Sequence, residues 1–539
     1  MTERAAALTA VAAFVGALHP LSVPLWVGVA AIAVALLVQR PVLVMAAVLV
    51  LCSTLAQRSW DGLQPSAPHT LDGRAVVVTD PERFGASTSA VVRVDGRRYL
   101  ARGFGAAGAA LSRATAGEEL DVRGDVVRYN GRDERRAALH VADQLRLDSA
   151  ELVGPGNVLW RTSNGVRAAV SDGAAGLGDR RQVLFTGLVY GDDRGQDPGL
   201  EADFRQAGLT HLLAVSGQNV AYVLVLLRPL LERLPLRGRW VATMAALLVF
   251  ATMTRFEPSV LRATAMAAIA VTTTTAGRPT SAVRNLALAV TALLIIDPLL
   301  AETAAFRLSV AASTGIAVLE PTIRDALPGP TALRDPLAVT LAAQLAVAPV
   351  LMTTFGPMSV ISLPANVLAG PIAGAVMAWG MTAGVLAGIV PPLAAPIHLV
   401  TRVLLWLLER IAATAADVPI SSIGLDWVAV AVVVAAGRAW WRVVPGGRVV
   451  AAVTVAVLAA QLRPAPTTGV HPVGNDSTLT VVGDTVSLRL GDEFRPVDLI
   501  TDLRDLGVRS VDVVETDNAA RVEPALAGRI DVGRVVANG

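Results

Sequence analysis

The sequence predicts a mainly α-helical, polytopic membrane protein with an inserted small β-barrel of OB-like type and a short α/β domain at the C-terminus. Three observations lead there. Of 539 residues, 53% are hydrophobic and only 17% charged, with a mean hydropathy of +0.55, too apolar for an ordinary soluble chain. Apolar runs that meet or approach the roughly 20 residues of a helical span recur along most of the chain. Between the early and late runs lies a stretch of short alternating segments with turn signals, the texture of strands.

Composition also excludes. Net charge is only +2, so charge gives no nucleic-acid signature. Every basic side chain is Arg and none is Lys; a GC-rich coding bias accounts for that, so Arg richness is not read as phosphate binding. Cys52 is the only cysteine, which removes intramolecular disulfides and Cys-based metal sites. His19, His69, His140, His211, His398 and His471 lie without ligand spacing, and neither HExxH nor a Walker GxxxxGK[ST] occurs. No cofactor or metal is expected.

Residues 1–58 hold three apolar runs, broken at His19-Pro20 and Arg40-Pro41. The single Arg4 and the missing small-residue cleavage pattern argue for retained N-terminal transmembrane helices over a signal peptide. In residues 70–150, Arg74–Thr79, Ser89–Val94, Arg98–Arg102, Glu119–Gly124 and Leu139–Asp143 read as strands, with turn signals at Asp95-Gly96 and Asn130-Gly131. Five strands match the count of an OB-fold. Such barrels hold single strands in basic grooves with stacked aromatics, and Arg93, Arg97, Arg98, Tyr99 and Arg102, with Phe104, offer both. Asp and Glu nearly balance Arg there, so an ordinary solvated barrel carries equal weight.

Residues 156–206 read as amphipathic or interfacial helices: Trp160–Val170 with Arg161 and Arg167, then Gln182–Tyr190, then Glu201–Gln206. Asp192 and Asp193 read as a cap or surface turn rather than a catalytic pair. Residues 207–463 form the main membrane domain, with spans near 209–227, 240–254, 260–276, 285–297, 304–319, 337–355, 359–390 (read as two), 393–411, 427–437 and 449–462. Phe355-Gly356-Pro357 and Ala369-Gly370-Pro371 suggest broken or re-entrant helices, which the bilayer tolerates only where they are buried in protein or line water. Ordinary kinked helices are the competing reading. Arg228, Arg233, Arg237 and Arg239, then Arg278 and Arg284, and late Arg438, Arg442 and Arg448 mark cytoplasmic loops. That orientation puts the barrel and the tail, residues 464–539, in the same outer compartment.

The most informative stretch is Gly208–Val220, where His211, Ser216, Gln218 and Asn219 interrupt an apolar run. Each unpaired polar group in hydrocarbon costs several kcal/mol, so this stretch faces protein or water. Gly217 permits close helix approach or an unwound turn. Arg262 costs roughly 2.5–3.5 kcal/mol if unpaired in a span; Glu257 is one candidate partner, and snorkelling to headgroups is the structural alternative.

The blocks Phe185–Asp193 and Phe204–Val220 closely resemble the central signature of the ComEC competence-channel family. Glu257-Pro-Ser-Val-Leu-Arg-Ala263 resembles its next polar membrane motif. Asn285–Ala289, Ile296-Asp-Pro298, Phe306–Ser309 and Asn366 with Pro371 follow in the order seen in that family. The resemblance covers most of the chain. It implies a polytopic inner-membrane conduit for single-stranded DNA during natural transformation, with an extracytoplasmic OB-like domain receiving the DNA. It implies as partners a separate cytoplasmic ATPase, a DNA-receptor protein, membrane lipid and a further copy of the chain. Channel residues carried over are His211, Ser216, Gly217, Gln218, Asn219, Glu257, Arg262 and Asn366. The tail departs from the pattern: fuller members end in a metallo-β-lactamase-like domain with an HxHxDH metal cluster, and here no His follows His471. The tail is therefore expected to be a shortened, metal-free relative without nuclease activity. A small-solute or lipid transporter, and a membrane scaffold whose β domain binds a partner, are the alternative functions.

Overall fold

The computed structural model describes residues 2–418, 422–423 and 468–537, apart from 130–132, 214, 356–357, 360, 475, 483–484, 492–493, 507, 509, 518–521, 523–525 and 527–529. The turn at Asn130-Gly131, the break at Gly356-Pro357, the spans near 427–437 and 449–462, and the Arg438–Arg448 loop lie outside these residues.

Three helices open the chain: α1 (Glu3–Leu18), α2 (Leu25–Val38) and α3 (Pro41–Gly62). Both breaks follow from backbone chemistry. Gln39 adopts a left-handed φ of 54° and closes α2, and Pro41 restarts the helix at its first position, where its missing N–H costs nothing. Gly16 lets α1 approach the Leu49 carbonyl of α3.

The next segment forms β1 (His69–Val77), β2 (Glu82–Phe84), β3 (Ser87–Val94), β4 (Arg97–Phe104), α4 (Gly105–Arg113), β5 (Glu119–Arg128), α5 (Asp133–Leu139) and β6 (Asp143–Gly154). Pairing runs β1–β5–β6–β4–β3 and returns to β1, which closes a five-stranded barrel; β2 adds a short hairpin to β3. β4 and β6 pair in parallel while the other closing pairs are antiparallel. Asp95 and Gly96 both take positive φ, 47° and 81°, the backbone of a tight turn that matches strand twist. One expectation is corrected: Leu139–Asp143 is not the fifth strand. Leu139 ends α5, and the strand is Asp143–Gly154, where Gln144-Leu-Arg-Leu147 carries the in–out alternation. Alternate residues such as Val92, Ala101, Leu120, Val122 and Leu145 fill the barrel.

The connector contains α6 (Val158–Gly173), α7 (Asp179–Tyr190) and α8 (Pro198–Gln206). The membrane domain follows as α9 (Thr210–Leu213), α10 (Gly217–Leu231), α11 (Leu236–Met253), α12 (Pro258–Thr275), α13 (Ala282–Ile296), α14 (Ala304–Ala326), α15 (Thr331–Phe355), α16 (Ser362–Trp379), α17 (Val385–Ile389) and α18 (Ala394–Ala416). Among the described residues, five helical stretches could cross a membrane by length and composition: Pro41–Gly62, Leu236–Met253, Leu333–Thr354, Ser362–Ile389 and Pro391–Ala416.

Within 359–390, read from the sequence as two spans, Ser362–Ile389 forms one rod. A π-helical stretch, Gly380–Gly384, joins α16 to α17, and the rod runs through Pro371. Gly380, Gly384 and Gly388 recur every four residues along it, and a neighbour occupies the space beside each. Phe185 and Val189 of α7 fill the first two positions, and the Ala169 carbonyl of α6 abuts the third. Small residues at such spacing let backbones touch where no hydrophobic force drives helices together.

Two short strands, β7 (Met358–Ser359) and β8 (Ser422–Ile423), pair antiparallel, and the tail is a separate sheet. β9 (Gly469–Val473), β10 (Ser477–Val482) and β11 (Thr485–Arg489) are antiparallel, and β12 (Ser510–Thr516) and β13 (Asp531–Ala537) continue in parallel. Helix α19 (Pro496–Asp505) buries Leu499, Ile500 and Leu503 in its core.

Gly388→Leu should destabilise the protein by about 1–3 kcal/mol or more, since the obstruction is backbone that cannot rotate away. Thermal unfolding in detergent measures it, with Gly370→Leu, where nothing lies within 4 Å of the added Cβ, as the control expected to stay near the parent.

Candidate functional site

The Gly208–Val220 stretch is not one helix. α9 stops at Leu213, Ser216 is extended (φ −98°, ψ 158°), and α10 starts afresh at Gly217. An unwound turn thus sits inside the apolar run, and its polar groups are matched one by one. The Ser216 hydroxyl donates to Asn219 Oδ1 at 3.2 Å, and Asn219 Nδ2 donates to the Leu188 carbonyl of α7 at 3.2 Å. The freed Val215 carbonyl accepts from the Ser259 hydroxyl of α12 at 2.7 Å. Asn219 is buried, whereas His211 and Gln218 are exposed.

Gly217 brings the start of α10 against α12, where its added Cβ would lie 2.8 Å from Arg262 Nη2. Arg262 does not pair with Glu257. Its Nε donates to Ser309 Oγ of α14 at 2.7 Å, and its Nη1 lies 3.2 Å from the Met266 sulfur. Glu257 sits just before α12. A guanidinium beside a helix N-terminus, with its unsatisfied N–H groups, concentrates positive potential. Asn366 is half-buried on α16, one turn beyond Ser362. Ser362 packs against Gly208, whose φ of 69° and lack of Cβ permit that approach.

A second set of residues escapes any reading of the sequence. Asp80, just past β1, accepts from Arg255 at 2.8 and 2.9 Å, from Arg167 at 2.7 Å and from the Ala116 N–H at 2.9 Å. Arg167 also reaches Asp192 at 2.9 Å and the Met253 carbonyl at 2.8 Å, while Arg194 grips Asp192 with two bonds of 2.6 Å. Arg167 lies over the Tyr190 ring and Arg255 over Trp160. Arg255 and Phe256 both hold positive φ, 57° and 59°, a backbone cost that these contacts offset. Arg167 is buried, so it is not an interfacial side chain, and Asp192 is an ion-pair partner rather than a surface cap. Burial pushes the Asp80 carboxyl up, but Arg167 and Arg255 outweigh it and hold the group well below the usual carboxylate range. Asp192 follows the same pattern with Arg194 and Arg167. A run of Arg within apolar sequence with a carboxylate at each polar break is the only sequence signal for this junction.

Carboxylates gather beside it. Partial desolvation with repulsion from Asp193 pushes the Glu82, Glu201 and Glu257 carboxyls up, and desolvation with repulsion from Asp192 does the same to Asp193. Their ionised forms are therefore disfavoured in the fold.

The five barrel residues separate. Tyr99 packs into the barrel core, so its ring is closed to a stacking base. Arg97 bonds buried Asp143 at 2.9 Å. Arg98 is partly buried between Arg93 and Asp297 of the membrane domain. Arg93 and Arg102 remain exposed, and Phe104 is 58% exposed two residues beyond Arg102. Arg146, on β6, is the register partner of Arg102 and is also exposed. Arg102, Arg146 and Phe104 thus form an exposed strip, with Arg93 exposed on β3. Among the described residues, no group of three or more His, Cys, Asp or Glu is arranged to hold a metal.

Residues 188–444 match the Competence protein family. The match begins inside α7, spans the interrupted helix, Arg262 and Asn366, covers just under half the chain and leaves out the barrel and the tail sheet. No curated protein and no solved structure matches the chain.

Asp80→Asn should loosen the barrel from the membrane domain, because Arg255 and Arg167 would lose a shared buried carboxylate at a cost of about 3–5 kcal/mol. Limited proteolysis around residues 63–68 and 155–157 should then be faster, while Asp72→Asn on the exposed barrel surface should not change it. The pH dependence has a definite sign. Asp80 and Asp192, with lowered pKa values, stabilise fully above the ordinary carboxylate value of about 4 and lose that effect only as pH falls through their depressed values. Glu82, Asp193, Glu201 and Glu257, with raised values, contribute most when protonated and lose it as pH rises through their raised values. Protease resistance of the junction should therefore hold as pH falls from 7 to 5 and collapse only in strong acid, below the ordinary carboxylate range; a loss of resistance between pH 7 and pH 5 would contradict the assignment.

Proposed function

We propose that the protein is a membrane conduit of the ComEC type, passing single-stranded DNA into the cytoplasm during natural transformation. The observation that carries this reading is the competence match falling on the segment with the interrupted helix, where Arg262 meets the start of α10. A polyanion crossing hydrocarbon needs a wet path edged by fixed positive charge, and a guanidinium beside a helix N-terminus supplies it. Glu257, Asn366, His211 and Gln218 line or flank the same mouth.

In this reading the barrel is an OB-like receiver. Its strand connectivity supports that: three antiparallel strands, a helix, then a pair that closes the barrel through the parallel β4–β6 contact. Arg102 and Arg146 stand side by side across that contact, a like-charge arrangement that costs stability unless an anion lies over it, and exposed Phe104 offers a stacking face. The barrel docks through Arg194 and Asp80, and the tail docks through α8, so both rest on residues 192–206; we place both outside the cytoplasm. A separate cytoplasmic ATPase supplies the energy, a receptor protein delivers DNA, and the tail cuts nothing.

Deleting the gene in a demonstrably competent strain should abolish uptake of labelled DNA; undiminished transformation would defeat the reading. Arg262→Gln should lower uptake at least about tenfold at normal protein levels, the value of a charge-assisted hydrogen bond. Replacing Arg102 and Arg146 by Gln should weaken single-stranded DNA binding and reduce the log–log salt slope by about 1.4, whereas Tyr99→Phe should leave it unchanged. Purified protein that cleaves DNA with added Mg²⁺, Mn²⁺ or Zn²⁺ would refute the absence of nuclease activity.

A further inference from the structure

The tail sheet is built partly from the connector. Ala202 of α8 is buried within the tail's own hydrophobic core, beside Leu499 and Leu503 of α19. Two ion pairs flank that contact in opposite senses. Arg504 of α19 reaches Asp203 of α8 at 2.8 Å, with both side chains at most 10% exposed, and Arg205 of α8 reaches Asp498 of α19 at 2.5 Å. The two bridges cross between the helices in opposite senses, acid to base and base to acid, and so tie α8 to α19 at two points.

α8 packs on α18 as well as on α19, so it is a bar held between the tail and the membrane domain. It leads straight into the mouth. The Leu209 N–H closes onto the Phe204 carbonyl at 2.7 Å, Gly208 packs on Ser362, and α9 with His211 begins at Thr210. The two Asp–Arg bridges therefore sit within about two turns of the interrupted helix, with no slack chain between.

We propose that the tail is a clamp on α8 that sets the opening of the mouth at the start of α10. Docked, the tail holds α8 and thereby holds α9 and Ser216–Asn219 in the closed, bonded arrangement. Released, it frees α8 to move with the polar turn. The inference concerns gating and holds whatever solute crosses, so it stands apart from the DNA reading.

The single cysteine makes the test direct. In a Cys52→Ser background, Gln218→Cys places a reporter on the exposed side of the mouth, and its rate of labelling by a membrane-impermeant maleimide reads opening in the full-length protein. Arg504→Met should raise that rate several-fold, and the reversed pair Asp203→Arg with Arg504→Asp should return it toward the parent. Limited proteolysis of the tail in the same samples reports release. Should the buried reversal fail to fold, the more exposed reversal Arg205→Asp with Asp498→Arg, compared with Arg205→Asp alone, gives the same test. Unchanged labelling with a released tail overturns the clamp, and so does a tail that stays docked when both bridges are removed. A rise that neither reversal restores overturns it too, since the bridges would then not be what holds the mouth.

Discussion

The architecture depends on the carboxylate of Asp80. It is the barrel-side partner in a buried junction into which the membrane domain sends Arg167 and Arg255. Neither guanidinium can lose its proton, and neither can be left in a low-dielectric interior without a partner. The barrel is consequently an integral piece of the membrane domain. Asp192 and Arg194 extend the network to the loop after α7, and that loop is continuous with α8 and the interrupted helix. The arrangement gives a rigid path from the barrel to the mouth.

A second constraint is the demand that backbone polar groups inside a bilayer find partners. At the unwound turn Val215–Ser216 the Val215 carbonyl accepts from Ser259 on α12, and the Ser216 hydroxyl donates to Asn219 on α10, which in turn donates to the Leu188 carbonyl on α7. The same economy appears in the Gly380–Gly388 seam, where missing side chains admit Phe185 and Val189 of α7 and the backbone of α6. Polar interruption and glycine seam lie on opposite sides of α7. Phe185 and Val189 face the seam while Gly187 and Leu188 face the turn, so α7 couples the two.

Period and composition were sufficient for many of the elements. The three N-terminal helices with their proline breaks, the β3–β4 hairpin at Asp95-Gly96 and the helices of the connector all follow from local signals. Two elements failed for local reasons. Residues 139–143 combined β-branched and apolar residues at the end of a helix, which hid the start of β6 a few residues later. Residues 359–390 carried Gly-Pro at 370–371, which reads as a break, yet neighbouring helices stabilise the rod and it continues.

The site divides along the same line. That His211, Ser216, Gln218, Asn219 and Arg262 need polar company is legible in the chain alone, because the cost of burying a bare polar group is a property of each residue and its apolar neighbours. Which partners they find depends on the fold. Arg262 finds Ser309, 47 residues away, rather than nearby Glu257; Arg167 and Arg255 find Asp80 across 87 and 175 residues; Tyr99 turns inward while Arg146 comes to lie beside Arg102. Pairing of charges is a matter of distance in space, and that distance is set by strand register and helix packing that no local pattern encodes.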